Sequence, residues 1–167
     1  MNKVNGKKTS FAPIREDGSR ITICYGMKQL SGDLYEWYEV YLPKNQLSQL
    51  TLADVKSAVI ADIDERIKAQ IIGGMVWNDK PVWLSIENQL NFTNAVAPVT
   101  LKIGEQEDGT AIYEDFENSE QLTDFRTACN NHKQNALTAG WTEKDGIDWT
   151  PYEALFPKSE QSSGVGE

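Results

Sequence analysis

The chain has 167 residues, of which 40% are hydrophobic and 10% aromatic, and a formal net charge of -9. This is the composition of a folded globular protein with enough chain to bury a core, and the acidic balance argues against duplex nucleic acid, whose binders use clustered Lys and Arg to displace counterions. No apolar run approaches the roughly 20 residues that span a bilayer and the N-terminus shows no signal-peptide core, so no membrane partner is expected and the chain should be soluble and cytoplasmic at the point of synthesis.

Residues 1–10 carry Lys3, Lys7 and Lys8 with little apolar content, which predicts a mobile N-terminal tail. Residues 11–43 read as a β-rich subdomain. Arg20 to Tyr25 follows an Asp17-Gly18 turn, and Leu34 to Leu42 is a second, aromatic-rich strand. In that second strand Trp37 and Tyr41 alternate with Tyr38, Val40 and Leu42, so both faces are apolar. A sheet covered on both sides and an aromatic face held for a partner are the two readings.

Residues 44–156 read as an α+β domain. Leu52, Val55, Val59, Ile63, Ile67 and Ile71 recur at three- and four-residue steps, predicting a long helix capped by Thr51 and ended by Gly73-Gly74. Met75 to Trp77 and Val82 to Leu84 then flank a four-residue loop in a hairpin that places Trp77 and Trp83 where they can pair across strands. Ser85 opens a short helix. A second hairpin joins Val99 to Ile103 with Ala111 to Phe116 through a turn holding glycine in the left-handed position, Gly109.

A second long helix starts at Asn118 or Ser119, carries a stripe of Leu122, Phe125, Cys129, His132 and Ala136, and is predicted to end at Gly140. Pro151 suits the first turn of a last short helix, and residues 157–167 form a Ser/Gly/Glu tail predicted to be disordered. The fold class expected is α+β, antiparallel β-hairpins packed with two long α-helices.

Charge is unevenly spread. Between Ile103 and Phe125 stand Glu105, Glu107, Asp108, Glu114, Asp115, Glu117, Glu120 and Asp124, with no Lys or Arg. A solvated face explains this run, and a surface for a basic partner is the sharper alternative. Cys24 and Cys129 read as reduced thiols packed in the interior. His132 shares a helical face with Cys129, but no orienting third group or oxyanion site is evident, so catalysis is not expected. Neither a phosphate-cradling loop nor a metal-ligand spacing is present, and no cofactor or metal is expected.

The strand Arg20 to Tyr25, the aromatic strand around Trp37, the helix Leu52 to Ile72, the run Val82-Trp83-Leu84-Ser85-Ile86-Glu87-Asn88-Gln89-Leu90-Asn91-Phe92, the strand Pro98 to Glu105 and the segment Gly140 to Trp149 together carry a resemblance. They look like a group of small proteins of Bacteroides-type phages and prophages, the DUF4376-like group, which tends to occur near tail and tail-fibre genes. The resemblance covers about Phe11 to Phe156 and implies a non-enzymatic phage tail-associated protein. On that reading the chain is a minor virion component or a tail-fibre assembly chaperone, working in the bacterial host cytoplasm during assembly or retained in the virion.

Its partners would be phage tail or tail-fibre proteins, with self-association a second option. No catalytic residue carries over from the group. The candidate partner-binding residues are Trp37, Tyr41, Trp77, Trp83, Leu122 and Phe125. The alternative function is a carbohydrate- or receptor-binding module using exposed Trp and Tyr.

Overall fold

The structure, a computed structural model, describes residues 2–156. In chain order the elements are β1 (Asn2–Lys7), β2 (Ile14–Asp17), β3 (Arg20–Ser31), β4 (Leu34–Pro43), α1 (Leu52–Gly73), β5 (Met75–Trp77), β6 (Lys80–Val82), α2 (Ile86–Asn94), β7 (Val99–Glu105), β8 (Ala111–Phe116), α3 (Ser119–Asp145) and α4 (Thr150–Glu153). All strand pairings are antiparallel, so the fold is α+β with hairpins and two long helices. The predicted tail at 157–167 lies outside the described residues.

Two compact units divide the chain. One holds the residues up to Asp62 together with those from Glu143 onward, and the other holds Ile63–Thr142. The division falls inside α1 and α3, whereas the change of composition after Pro43 suggested a boundary there. Pro43 ends a strand; it does not end the packing unit.

In the first unit four strands lie in the order β1-β4-β3-β2. The predicted mobile tail is corrected here, because residues 2–7 form the edge strand β1, paired with β4 from Asn2↔Glu39 to Lys7↔Leu34. The sequence Asn-Lys-Val-Asn-Gly-Lys has no apolar alternation, and its pairing is supplied by β4 together with an ion pair from Lys3 to Glu36 at 2.7 Å. Gly6 belongs to the same fit. A Cβ there would stand 2.6 Å from the Trp37 ring, so only glycine lets the strand pass over the indole.

Residues Ile21 to Tyr25 of β3 are fully buried on both faces. One face pairs Ile21 with Leu42, Ile23 with Val40 and Tyr25 with Tyr38, and the last two rings stack 5.6 Å apart. Asp62 of α1 accepts a hydrogen bond from the Tyr25 hydroxyl at 2.5 Å. Tyr152 of α4, also buried, donates its hydroxyl to the Cys24 carbonyl. The opposite face is covered by the link from β1 to β2, which crosses from one sheet edge to the other. Phe11 of this link meets Trp37 edge-on at 5.9 Å, and the Pro13 carbonyl accepts from Cys24 N at 2.9 Å.

Helix α1 starts where predicted. Thr51 and Asp54 cap it reciprocally: the Thr51 hydroxyl accepts from Asp54 N at 3.2 Å, and the Asp54 carboxylate accepts from Thr51 N at 2.9 Å. It stops at Gly74, whose φ of +80° and contact with the Val82 carbonyl admit no side chain.

The second unit is built around Phe125 of α3. Its ring lies 5.0 Å from Phe92, 5.0 Å from Phe116 and 5.5 Å from Trp77, each by ring centroid. Val82, Leu84, Ile103, Leu122 and Cys129 complete the buried cluster. Ser85 caps α2 as expected, accepting from Asn88 N at 3.2 Å. At the other end of α2, Arg126 donates to the Phe92, Thr93 and Ala95 carbonyls, satisfying groups that a helix C-terminus leaves unpaired.

Two sequence expectations change in this unit. The β5-β6 turn has two residues, Asn78 and Asp79, both at positive φ, so Trp77 pairs with Lys80 and Trp83 falls outside the ladder. Helix α3 also runs past Gly140 to Asp145. Gly140 is not a C-cap: a Cβ there would stand 1.9 Å from Ile67 Cδ1, so the glycine serves helix-helix contact.

Candidate functional site

The densest collection of reactive side chains lies on the crossover-covered face of the first unit's sheet. The register places Thr22 opposite Tyr41 and Cys24 opposite Glu39, and β2 brings Arg15 and Asp17 alongside. Glu39 is only 5% exposed. Its Oε1 accepts from Arg15 Nη2 at 2.7 Å and Trp37 Nε1 at 3.1 Å, and its Oε2 accepts from the Tyr41 hydroxyl at 3.0 Å. Burial works against its ionisation, yet the combined hydrogen bonds from Trp37, Arg15 and Tyr41 hold its carboxyl below the usual range.

Asp17 also titrates low, because the Thr22 hydroxyl donates to it at 2.6 Å and Arg15 Nε donates at 2.9 Å. Arg15 Nη1 lies 3.3 Å from Cys24 Sγ.

This arrangement has the ingredients of a site, with its thiol and one carboxylate buried while the Arg15 and Asp17 side chains remain 33% and 37% exposed. Cys24 is fully buried, and burial pushes its thiol up to about 11 despite the nearby guanidinium, which disfavours the thiolate at neutral pH. Every oxygen of Glu39 has a donor. The cluster is therefore a satisfied polar network that locks β2, β3 and β4 together. Sequence reasoning finds Trp37 and Tyr41 but misses Arg15 and Glu39. The signal available was Glu39 standing between Trp37 and Tyr41 on one face of the strand.

Cys129 and His132 are not hydrogen-bonded to each other. Cys129 is 5% exposed in the Phe125 cluster, with its thiol pushed up to about 11 by burial. His132 instead donates from Nε2 to the Gln70 carbonyl at 3.1 Å. Among the described residues, no three His, Cys, Asp or Glu side chains are grouped to hold a metal ion. No helix among them is long and apolar enough to cross a membrane.

The predicted partner-binding residues separate sharply. Trp37, Leu122 and Phe125 are 2%, 2% and 0% exposed, so they are corrected from surface to core: each fills the interior of its own unit and presents nothing to a partner. Tyr41 is half-buried, with its hydroxyl on Glu39 and Arg20 over its ring at 4.0 Å. Trp77 is half-buried against Phe125. Trp83 alone of the six is exposed, at 42%.

Around Trp83 the second unit shows a different kind of surface. Val76 and Pro81 are registry partners on β5 and β6, both exposed, and Trp83 follows Pro81 by two residues on the same side of the extended chain. Pro81 and Trp83 form one side of an open depression of about 740 Å³, and Glu105, Gln106, Glu107 and Asp108 form the other. The two sides are held together by the hydrogen bond from Trp83 N to the Ile103 carbonyl at 2.8 Å. Ile86 and Leu90, one turn apart on α2, are exposed at 65% and 58%.

Comparison with known proteins adds nothing to this geometry. No family model matches the chain, and no curated protein and no solved structure matches it at a significant level.

Proposed function

We propose that the chain is a non-enzymatic phage tail-associated protein, a minor virion component or a tail-fibre assembly chaperone, that acts through protein-protein contacts of its second unit. The observation that carries this reading is the apolar surface left in water by a unit whose core is complete without it: Val76, Trp83, Ile86 and Leu90 are all exposed while Phe125 and its neighbours are closed. Large apolar side chains left outside a filled core suit an interface. The sequence resemblance to tail-associated phage proteins supplies the partner class, phage tail or tail-fibre proteins. The place of action is then the host cytoplasm during assembly, or the virion if the chain is retained.

The burial of Cys24 and Glu39 supports a non-enzymatic role, and Cys129, 5% exposed, lines a depression of about 250 Å³ without a hydrogen-bonded base beside it. Of the three tryptophans that the sugar-platform alternative rests on, Trp37 is buried, Trp77 is half-buried against Phe125 and Trp83 is exposed; Tyr113 and Trp141 are also exposed, outside that trio.

Mass spectrometry of purified particles, run beside an affinity pull-down from infected or induced cells, tests the proposal. The expected result is recovery of the chain with a tail or tail-fibre protein in one of the two fractions. Absence from both overturns it.

A further inference from the structure

The geometry around Trp83 points to the chemistry of the partner. Resting on the docking reading above, we propose that the depression between Trp83 and the Glu105 to Asp108 loop receives a lysine- or arginine-bearing segment of a partner protein.

One wall, Pro81 and Trp83, is apolar and its backbone is anchored. The Trp83 backbone donates to Ile103 and accepts from Asn88 Nδ2 at 3.0 Å, so the main chain that carries the ring is held at both its N–H and its carbonyl. Gly104 permits the close approach of this wall to the acidic one, since a Cβ there would stand 2.4 Å from the Pro81 carbonyl oxygen. The other wall carries three carboxylates. Glu105 is paired with Lys102. Asp108 accepts from Thr110 N at 2.9 Å, a bond that favours its charged form. Glu107 has no ion-pair partner among the described residues.

An indole facing carboxylates across an open cleft selects its occupant. A Lys or Arg stem lies along the ring and Pro81, while its charged head reaches the ring face and the acids. Phosphate-bearing polymers are repelled by the loop. A bare divalent ion would leave the indole unused, and the three acids are not grouped for one. A neutral sugar can stack on Trp83 but leaves the charge unanswered. A basic protein segment uses both walls.

The test is titration of the full chain with an acetylated, amidated peptide alternating Arg, Lys and Gly, against the same peptide carrying citrulline and norleucine. Two-dimensional amide NMR follows the Trp83 indole N–H and the Glu107 and Asp108 amides. Expected are shifts at those three groups and binding at least about tenfold weaker for the uncharged peptide. The affinity should fall as ionic strength rises from about 0.05 to about 0.5 M. Trp83→Ala should weaken binding about tenfold, Trp83→Phe much less, and Glu107→Gln with Asp108→Asn by several fold; thermal unfolding verifies that each variant is folded.

Equal binding of the uncharged peptide, no effect of Trp83→Ala, or no shift at these groups up to about millimolar peptide overturns the proposal. The two readings fail separately. If wild type and Trp83→Ala are recovered equally with a tail component, docking stands and the cationic cleft falls. If neither is recovered but the peptide moves Trp83, the cleft stands and the tail assignment falls.

Discussion

The covered face of the first unit's sheet and the open cleft of the second hold the same residue types in opposite circumstances. Around Trp37, an indole, a guanidinium, a thiol and a carboxylate are packed beneath a crossing segment and bonded to one another. Around Trp83, an exposed indole faces the half-buried Glu105 and the exposed Glu107 and Asp108, and among the described residues Lys102 and Thr110 answer the acids. What separates the two places is whether the polar groups are already satisfied, because a group that is fully bonded within its own unit has nothing left for a ligand.

The comparison can be broken most forcefully at the second unit's centre. Phe125→Ala removes the ring that Phe92, Phe116 and Trp77 all touch, and should lower unfolding stability by about 3 to 5 kcal/mol in a denaturant titration. A loss below about 1 kcal/mol would show that the cluster is not the core.

Next in size is the buried carboxylate. Glu39→Ala leaves Arg15, Trp37 and Tyr41 without their acceptor and should cost about 2 to 4 kcal/mol, discounted for the partial exposure of Arg15. The pH dependence has a definite sign. The folded carboxyl titrates below its ordinary 4.5, so its ionised form stabilises the fold above that value, and the contribution is lost as pH falls through the lower folded value. Glu39→Gln should therefore flatten the acid limb of the stability profile. An unchanged limb would mean that the network does not depend on the charge.

A contact of intermediate weight lies between α1 and α3 in the second unit. Gly140→Ala should destabilise by about 1 to 3 kcal/mol through overlap with Ile67, even though alanine favours helix by up to about 1 kcal/mol. Ile67→Ala in the same chain should relieve that overlap, giving a coupling measurable by a double-mutant cycle. Additive losses would remove the contact from the account.

The smallest expected effect is the most informative about function. Trp83→Ala should lower stability by only about 0.5 to 1 kcal/mol, since the ring is 42% exposed and lies outside the buried cluster. A loss comparable to that of Phe125→Ala would mean that Trp83 is a packing residue and would remove the candidate surface.

Much of the fold is legible as local pattern. The Thr51 and Ser85 caps, the Gly74 stop, the apolar stripe of α1 and the Val99 to Phe116 hairpin follow from signals that act within about four residues of the chain. Trp83 is likewise a visible candidate, as one of two tryptophans flanking a turn. Its setting is not visible, because Gln106 and Glu107 come beside it only through the pairing of Trp83 with Ile103.

The remaining features belong to tertiary structure alone. β1 has no periodicity of its own and exists because β4 offers an edge. Gly140 reads as a helix stop and is a place where one helix makes room for another. Trp37 and Trp83 look alike in sequence, yet Phe11 and a crossing segment close over the first while nothing described closes over the second. The reason is the range of the forces concerned. Caps and periodicities are decided by neighbours along the chain, whereas which face is covered is decided by whatever distant segment arrives to cover it.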